Sequence, residues 1–252
     1  MEAVAVINQK GGVSKSTTAH ALAAGLTIRG YKVLMVDLDG QQSLTSITGA
    51  TSGRYSILDV LTRKCRAEQA TVHTGSGDIL PAVDDLGDAD AIIGTKATGR
   101  YYRLREGLKT VRSRYDYCVI DCPPSLGVLT INALTAADTC IVPAQADILS
   151  LQAIGKLQQT IEAVRATTNA ELHVAGILIT RFNGRAVLSR DAVELMQAKA
   201  QEMGTKVFDT KIRECISIKE AQAVRQSIYE YAGRSNGAKD YQEWIQELLQ
   251  EV

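Results

Sequence analysis

A glycine-rich segment near the amino terminus constrains the fold of this chain more than any other feature. After a short apolar run the chain reads Gln9-Lys10-Gly11-Gly12-Val13-Ser14-Lys15-Ser16-Thr17-Thr18, and a helix-forming segment follows directly. Backbone N–H groups at the start of a helix favour an anion, and adjacent glycines let the chain wrap closely around it. Lys15 adds a cation for phosphate, and the Ser16 hydroxyl adds a ligand for Mg²⁺. The segment therefore predicts a nucleotide-phosphate site.

Short β-rich runs alternate with longer segments of helical period along the rest of the chain. We predict strands over residues 3–8, 32–37, 79–80, 117–121, 139–143, 174–180 and 206–208. We predict helices over residues 17–29, 57–61, 101–114, 131–137, 151–167, 187–203 and 238–251. Strands separated by helices pair in parallel through right-handed crossovers. The pattern predicts an α/β fold, with a doubly wound, mainly parallel sheet and helices on both faces, as a single domain over residues 1–252.

Composition excludes several classes of protein. The 252 residues include 28 Lys+Arg and 28 Asp+Glu, and 45% are hydrophobic, which suits a globular chain with a sizeable core. No apolar run approaches the roughly 18 residues of a membrane span, and the amino terminus lacks the features of a signal peptide. The cysteines are odd in number and widely spaced, which predicts reduced thiols in a cytoplasm. Because the net charge is zero, any contact with nucleic acid must come from a local patch.

Two predicted strands end in aspartates that would complete a phosphate site. The second strand ends at Asp37 and is followed by Asp39, and a later strand delivers Asp121 into a turn containing Pro123 and Pro124. A nucleotide site needs such acids at the carboxyl ends of neighbouring parallel strands, to hold metal and to position water. Asp121 in this setting is typical of a Walker B aspartate that holds Mg²⁺ through water. Each aspartate could instead be a solvated strand end or a helix cap.

The phosphate segment also carries a family resemblance. Gln9 and Ser14 occupy the glycine positions of the pattern G-x-x-x-x-G-K-[ST], and Lys10 lies five residues before Lys15. The order Lys-Gly-Gly-x-x-Lys-[Ser/Thr] resembles the deviant Walker A loop of the ParA/MinD class of P-loop ATPases. The block 115–138, together with the overall length of the chain, is similar to the Soj/ParA partition ATPases. The resemblance covers the whole chain and begins at the first strand, without a separate N-terminal DNA-binding domain.

This resemblance implies a P-loop NTPase fold, ATP and Mg²⁺ as cofactors, and a homodimer that forms around ATP. It implies nucleotide contacts from Lys10, Gly11, Gly12, Val13, Ser14, Lys15, Ser16, Thr17, Arg181, Asn183 and Arg213. It implies that Ser16, Asp37 and Asp121 serve the metal. Hydrolysis of ATP would depend on Lys15, on Asp39 orienting the attacking water, and on Lys10 reaching the nucleotide of the other subunit.

Relatives of this class bind DNA without sequence preference as ATP dimers, and a ParB-like centromere-binding protein stimulates their hydrolysis. The resemblance therefore implies a cytoplasmic, nucleoid-associated protein that partitions plasmid or chromosomal DNA. Candidate phosphate contacts lie in the last third of the chain, at Arg181, Arg185, Arg190, Lys211, Arg213, Lys219 and Arg225. These cations could equally be ordinary solvated helix faces.

The chain departs from the family pattern at two places. Asp39-Gly40-Gln41 stands where the family usually has Asp-Pro-Gln, which predicts a more flexible switch. Ile212-Arg213-Glu214-Cys215 stands where many relatives read Ile-Pro-Arg-Asn, so a glutamate replaces a familiar DNA-facing arginine. Arg213 could compensate for that loss.

Two other functions remain open at this point. One is a nucleotide-gated ATPase that positions a cargo other than DNA, and another is a small-molecule ligase related to dethiobiotin synthetase. A membrane-bound role like that of MinD requires a basic amphipathic helix, whereas the tail over residues 240–252 has an acidic polar side. Trp244, Leu248 and Val252 in that tail predict a stripe that docks on the core.

Overall fold

The computed structural model describes residues 1–94, 98–184 and 187–250, and its strands form one seven-stranded sheet. The strands are β1 (Glu2–Val6), β2 (Val33–Asp37), β3 (Val72–Thr74), β4 (Gly77–Leu80), β5 (Tyr117–Asp121), β6 (Thr139–Ala144) and β7 (His173–Ile179). Their order across the sheet is β3-β4-β2-β5-β1-β6-β7. Every neighbouring pair is parallel except the β3–β4 hairpin. The prediction of a mainly parallel sheet is therefore confirmed.

Helices cover both faces of this sheet. They are α1 (Lys15–Ile28), α2 (Ser43–Ile47), α3 (Ile57–Leu61), α4 (Ala67–Ala70), α5 (Ala89–Ile93), α6 (Arg103–Leu108), α7 (Val128–Ala136), α8 (Ile148–Thr167), α9 (Val187–Glu202), α10 (Ile216–Ala223), α11 (Ile228–Ala232) and α12 (Asn236–Leu248). One core layer joins the sheet to α3, α6, α7 and α8, and the other joins it to α1 and α12. The doubly wound α/β architecture is confirmed.

The register of the central strands places the functional edge of the sheet. β1 lies between β5 and β6, and β2 lies on the far side of β5. Val6, Asp37 and Asp121 are neighbours across the three strands β1, β2 and β5. In open parallel sheets the crevice at the carboxyl ends of the strands is the usual ligand site. The phosphate segment after β1 and the two aspartates therefore meet at one edge.

Two predicted elements differ in the structure. The helix predicted over residues 101–114 ends at Leu108. It is followed by turns whose hydrogen bonds join residues three positions apart, and these turns place Val111 and Tyr115 in the core. The strand predicted over residues 206–208 is a single bridge from Val207 to β7, and the buried Phe208 ring that follows packs over Gly176. Side-chain burial in these segments overrides the local sequence pattern.

The carboxyl-terminal helix docks on α1. Trp244 and Leu248 are buried in α12 as predicted, and Val252 lies outside the described residues. The Trp244 ring meets Phe208 edge-on, with ring centroids 6.0 Å apart. A Cβ added at Gly25 of α1 would lie 2.4 Å from a methyl group of Ile245, so any larger residue here would displace that side chain. Within the described ranges, none of the helices is both long and apolar enough to cross a bilayer.

The cysteines with described environments are free thiols. Cys118, Cys122 and Cys140 are buried in or beside the central strands, whereas Cys65 and Cys215 are partly buried. Burial raises the pKa of both Cys118 and Cys140 to about 12. These thiols therefore stay protonated and act as small apolar groups of the core, as predicted.

His20 gives α1 a predictable dependence on pH. Its ring is buried, and Nε2 lies 2.9 Å from the Ser76 hydroxyl. Burial lowers its pKa to about 4, against a weaker opposing influence of Glu230. In the unfolded chain His20 has the ordinary histidine pKa of about 6.5. Below that pH it takes up a proton in the unfolded chain but not in the folded one. The free energy of unfolding therefore falls as the pH is lowered, by about 3 kcal/mol from this group once the pH reaches its folded value.

We expect His20→Gln to remove most of that dependence. Urea unfolding of both proteins at pH 7.5 and pH 4.5 gives the comparison, since shared carboxylates cancel between them. The variant should lose less stability on acidification than the wild type. Equal losses in the two proteins would contradict the role assigned to His20.

Candidate nucleotide site

The phosphate loop is fastened to the sheet by its carbonyl groups. The Gln145 amide donates to the Gly12 carbonyl at 3.0 Å, and the Thr180 hydroxyl donates to the Val13 carbonyl at 3.1 Å. Asn8 accepts the Lys10 N–H at 2.9 Å. By contrast, the backbone N–H groups of residues 11–17 donate to no described residue. A loop with bound carbonyls and free N–H groups at a helix start is an anion cradle.

Ser14 adopts the backbone conformation that the usual pattern assigns to glycine. Its φ is 68°, and that of Gly12 is 76°, so both lie in the left-handed region. A left-handed conformation costs a non-glycine residue about 1–2 kcal/mol. The loop therefore keeps the backbone conformation of a glycine at Ser14. The resulting strain lies within the candidate phosphate site.

The two lysines of the loop have different surroundings. Lys15 is 7% exposed, and its Nζ lies 3.3 Å from the Lys10 carbonyl. Burial lowers the pKa of Lys15, while the nearby Asp121 opposes that shift. Lys10 instead donates to Asp147 at 2.6 Å and to Ser150 at 3.2 Å. The predicted trans-acting lysine is therefore held within its own chain.

Asp147 is adapted to this contact. It caps α8 by accepting the N–H of Ser150 at 2.7 Å. Although partial burial acts to raise it, the hydrogen bonds from Lys10 and Ser150 hold the pKa of Asp147 below its ordinary value. Because both side chains still contact solvent, the ion pair contributes only about 1 kcal/mol. Lys10 can therefore leave it at little cost.

Asp37 is completely engaged by protein groups. One carboxylate oxygen accepts the N–H and the hydroxyl of Thr45 at 2.8 and 2.7 Å, and the other accepts the N–H of Asp39 at 3.1 Å. Burial raises its pKa to about 6, while the Thr45 hydrogen bonds act in the opposite direction. The side chain thus fixes the start of α2, consistent with support of a metal site rather than direct coordination.

Asp121 has the opposite environment. Both oxygens are buried, and neither has a hydrogen-bond partner among the described residues. Burial and the charge of Asp37 raise its pKa well above the ordinary value, and the Ser16 hydroxyl and the Lys15 ammonium oppose this shift. An unpaired buried carboxylate is strongly unfavourable unless a cation or donor compensates it. Asp121 therefore suits a divalent cation next to the phosphate loop.

An open cavity of about 590 Å³ brings together seven of the residues predicted for the nucleotide site. Its lining includes Gly11, Gly12, Ser14, Lys15, Ser16, Thr17 and Asp39. Asp39 is only partly buried and accepts the N–H of Gln41 at 3.0 Å. Asp39 thus faces the space that a phosphate on the loop would occupy.

A smaller cavity of about 110 Å³ adjoins the first and shares Ser14, Thr17 and Gln222 with it. Arg181 and Arg213 line this smaller space. Asn183 lines neither cavity, and it already makes contacts within the protein. The structure thus brings the two arginines to the candidate site and leaves the asparagine outside it.

The cations predicted to contact DNA are mostly paired. Arg181 and Lys219 both bind the Glu214 carboxylate, at 3.0 and 3.3 Å. Arg213 binds Asp240, and Lys211 donates to the Asp209 carbonyl. Arg225 is exposed and adopts a φ of 58° beside Gly49. Arg185 and the side chain of Arg190 lie outside the described residues.

Several residues at the site escaped sequence reasoning. Thr45, Gln145 and Asp147 hold Asp37, the loop and Lys10, respectively. Asp147 had a usable signal, because an aspartate three residues before Ser150 at a helix start is a typical N-cap. Gln222 had none, since its contact with Thr17 joins residues 205 positions apart.

Comparison with known proteins agrees with this geometry. Residues 1–174 match the family model described as an AAA domain. The chromosome partitioning protein ParA of Caulobacter vibrioides is 35% identical over 99% of this chain and 94% of its own length. The chromosome-partitioning ATPase Soj of Thermus thermophilus is 38% identical over 99% of this chain and 96% of its own.

A crystal structure described as cobyrinic acid a,c-diamide synthase from Mycobacterium smegmatis, with bound ADP and magnesium, has the same fold. It superposes with a TM-score of 0.85 at 36% identity, covering 99% of this chain and 94% of that one. The sheet order and the phosphate loop define a P-loop NTPase. Within that class, the chain belongs to the ParA/Soj family of chromosome-partitioning ATPases.

The environment of Asp121 predicts an unusual effect of substitution. Asp121→Asn replaces a buried carboxyl group whose oxygens have no hydrogen-bond partner among the described residues, while keeping the shape of the side chain. We expect the metal-free variant to be more stable than the wild type by about 1–3 kcal/mol. Urea unfolding in a chelating buffer measures this. A variant less stable than the wild type would show that Asp121 is already satisfied within the fold.

Proposed function

We propose that this chain is a Mg²⁺-dependent ATPase that dimerises on ATP, binds DNA without sequence preference and partitions plasmid or chromosomal DNA. The observation that carries the proposal is the unpaired Asp121 carboxylate beside a loop whose N–H groups are free. Relatives of the same family are named for chromosome partitioning, which supports the cellular role. We treat residues 1–252 as one functional unit that acts in the cytoplasm on the nucleoid, with a ParB-like partner.

The site residues suit hydrolysis of a Mg²⁺–ATP complex. Mg²⁺ commonly takes one or two carboxylates, several waters and phosphate oxygens, and Ser16 and Asp121 would supply the protein's share. The bound metal would neutralise charge on the phosphates. The loop N–H groups and Lys15 would hold the β- and γ-phosphates, and Asp39 would orient water in line with the γ-phosphate.

Lys10 would link hydrolysis to self-association. Its ammonium group is held by Asp147 in a partly exposed ion pair. The γ-phosphate of ATP bound to a second subunit would be a stronger anion for Lys10 at this edge of the sheet. The lysine would then leave Asp147 and bind that phosphate. ATP would then be part of the dimer interface, whereas ADP would lack the group that draws Lys10 across.

DNA binding would use the surface around Glu214. Arg181 and Lys219 both form ion pairs with the Glu214 carboxylate, so the charge of each cation is partly neutralised in the monomer. Dimerisation doubles the number of such cations, and phosphate contacts add through counterion release. A weak patch per subunit would therefore bind DNA appreciably only in the ATP dimer, which makes the affinity depend on the nucleotide.

Two other functions would give different results. A positioning ATPase for another cargo would dimerise on ATP without binding DNA. The name of the similar Mycobacterium smegmatis structure points to an ATP-dependent amide-forming enzyme. Such a ligase needs a pocket for its organic substrate and has no use for a lysine that crosses between subunits. We favour partitioning because the pattern Lys10-Gly11-Gly12 with Lys15 provides that second lysine.

Salt-dependent binding to random-sequence duplex DNA tests the proposal. With Mg²⁺–ATP, the Asp39→Ala variant should bind a labelled duplex, and log affinity should fall with log salt by about 0.9 per phosphate contact. With ADP it should bind far more weakly. Absence of binding at low salt in the presence of ATP would favour the non-DNA cargo.

A second pair of variants localises the surface. Glu214→Gln releases Arg181 and Lys219, so it should raise DNA affinity and steepen the salt slope by about 0.9 for each added phosphate contact. Glu106→Gln is the matched control, because it releases Arg63 beside α3 and α6, on the other face of the sheet. Equal effects of the two substitutions would contradict the placement of the DNA surface.

A further inference from the structure

The turn that carries Asp39 lies against a distant segment of the chain. Residues 39–42 form this turn, which is closed by a 2.8 Å hydrogen bond from the Gln42 N–H to the Asp39 carbonyl. Segment 82–87 follows β4, and β4 is the neighbour of β2 in the sheet. Because the turn follows β2 directly, the parallel pairing of the two strands brings the turn and segment 82–87 together.

Gly40 is a point of close contact between the two. A Cβ added at Gly40 would lie 3.1 Å from the Gly87 nitrogen and 3.3 Å from the Asp84 carbonyl oxygen. Both are backbone atoms, which cannot rotate away as the end of a flexible side chain can. The missing side chain at Gly40 therefore lets the two backbones pack together. A glycine that predicts flexibility from the sequence alone is packed here against another part of the chain.

Gln42 is held by the same segment. Its φ of 56° lies in the left-handed region, which is unfavourable for a residue with a side chain. Its side-chain amide donates to the Asp84 carboxylate at 2.5 Å. Residues in such conformations persist where surrounding contacts fix them. Asp84 supplies one of these contacts from 42 positions further along the chain.

A buried chain of hydrogen bonds makes a second connection between the segment and the turn. The Ala82 N–H donates to the Thr45 hydroxyl at 3.0 Å, and that hydroxyl donates to Asp37 at 2.7 Å. Asp37 in turn accepts the Asp39 N–H at 3.1 Å. Segment 82–87 thus contacts the turn directly at Gly40 and Gln42, and it also contacts the residues that support Asp39.

We propose that segment 82–87 positions Asp39 for hydrolysis, with Asp84 as a positioning residue that acts through Gln42. Asp39 lines the phosphate cavity, and a group that orients water is effective only when it is held in place relative to the phosphates. Asp84 lines neither cavity of the site, so it has no direct contact to offer a nucleotide there. The inference rests on the proposed function, because it takes hydrolysis of ATP through Asp39 as given.

Steady-state hydrolysis of Mg²⁺–ATP tests the role of Asp84. Asp84→Ala removes the acceptor of the Gln42 amide, so we expect kcat to fall about tenfold while KM changes by less than about twofold. Asp84→Asn keeps an acceptor oxygen and should recover most of the rate. Asp85→Ala is the matched control, because Asp85 is the next residue, is exposed and has no hydrogen-bond or ion-pair partner among the described residues. Equal kcat values for Asp84→Ala and Asp85→Ala would overturn the proposal.

Hydrogen exchange without nucleotide gives a readout that does not depend on catalysis. Gly40→Ala places a methyl group against the backbone of segment 82–87, whereas Gly87→Ala places the same group in open space. We expect the backbone N–H groups of residues 39–45 to exchange faster in Gly40→Ala and in Asp84→Ala than in the wild type, and at the wild-type rate in Gly87→Ala.

Unchanged exchange in Asp84→Ala would overturn the proposal, and this variant keeps the test decisive if Gly40→Ala does not fold, because Asp84 is exposed. A wild-type protein that hydrolyses no ATP would contradict the proposed function itself. The exchange comparison would then still decide whether segment 82–87 holds the turn, so the two failures are distinguishable.

Discussion

The alignment of β1, β2 and β5 fixes, at the edge of the sheet, a buried carboxyl group whose oxygens have no hydrogen-bond partner among the described residues. Asp121 is paired in register with Asp37, and both are fully buried. Thr45 and the Asp39 N–H satisfy Asp37, whereas Asp121 has no described partner. The fold therefore satisfies one carboxylate internally and leaves the other, beside Lys15 and Ser16, for an external cation. The remaining features of the site are arranged around that difference.

The loop and its surroundings combine rigidity with weak restraints. Side chains from the ends of neighbouring strands bind the loop carbonyls, and Ser14 keeps a left-handed backbone at some cost in energy. Around this fixed loop, the groups proposed to respond to nucleotide are held by partly exposed ion pairs. Lys10 forms an ion pair with Asp147, and Arg181 forms one with Glu214. Weak restraints of this kind let a bound nucleotide or a second subunit redirect the cations without disturbing the core.

Much of this arrangement could be predicted from local sequence. The loop, the apolar strand before Asp121 and the acidic tail each carry a short-range pattern that determined the strand and helix assignments. The rest depends on contacts between distant residues. Phe208 packs its ring over the distant Gly176, which local pattern does not reveal. The helix α11 was not predicted, although Ser227 and Glu230 form a capping box. The pairing of Arg213 with Asp240 joins helix and loop through tertiary packing, which no spacing rule reveals.

The central claim is that ATP, held by this loop with Mg²⁺, joins two copies of the chain. Light scattering of the Asp39→Ala variant, in which hydrolysis is expected to be slow, measures this most directly. If ATP joins two copies, the variant has the mass of a monomer without nucleotide or with ADP, and the mass of a dimer with Mg²⁺–ATP. A mass that stays monomeric at saturating ATP would show that ATP does not join two copies.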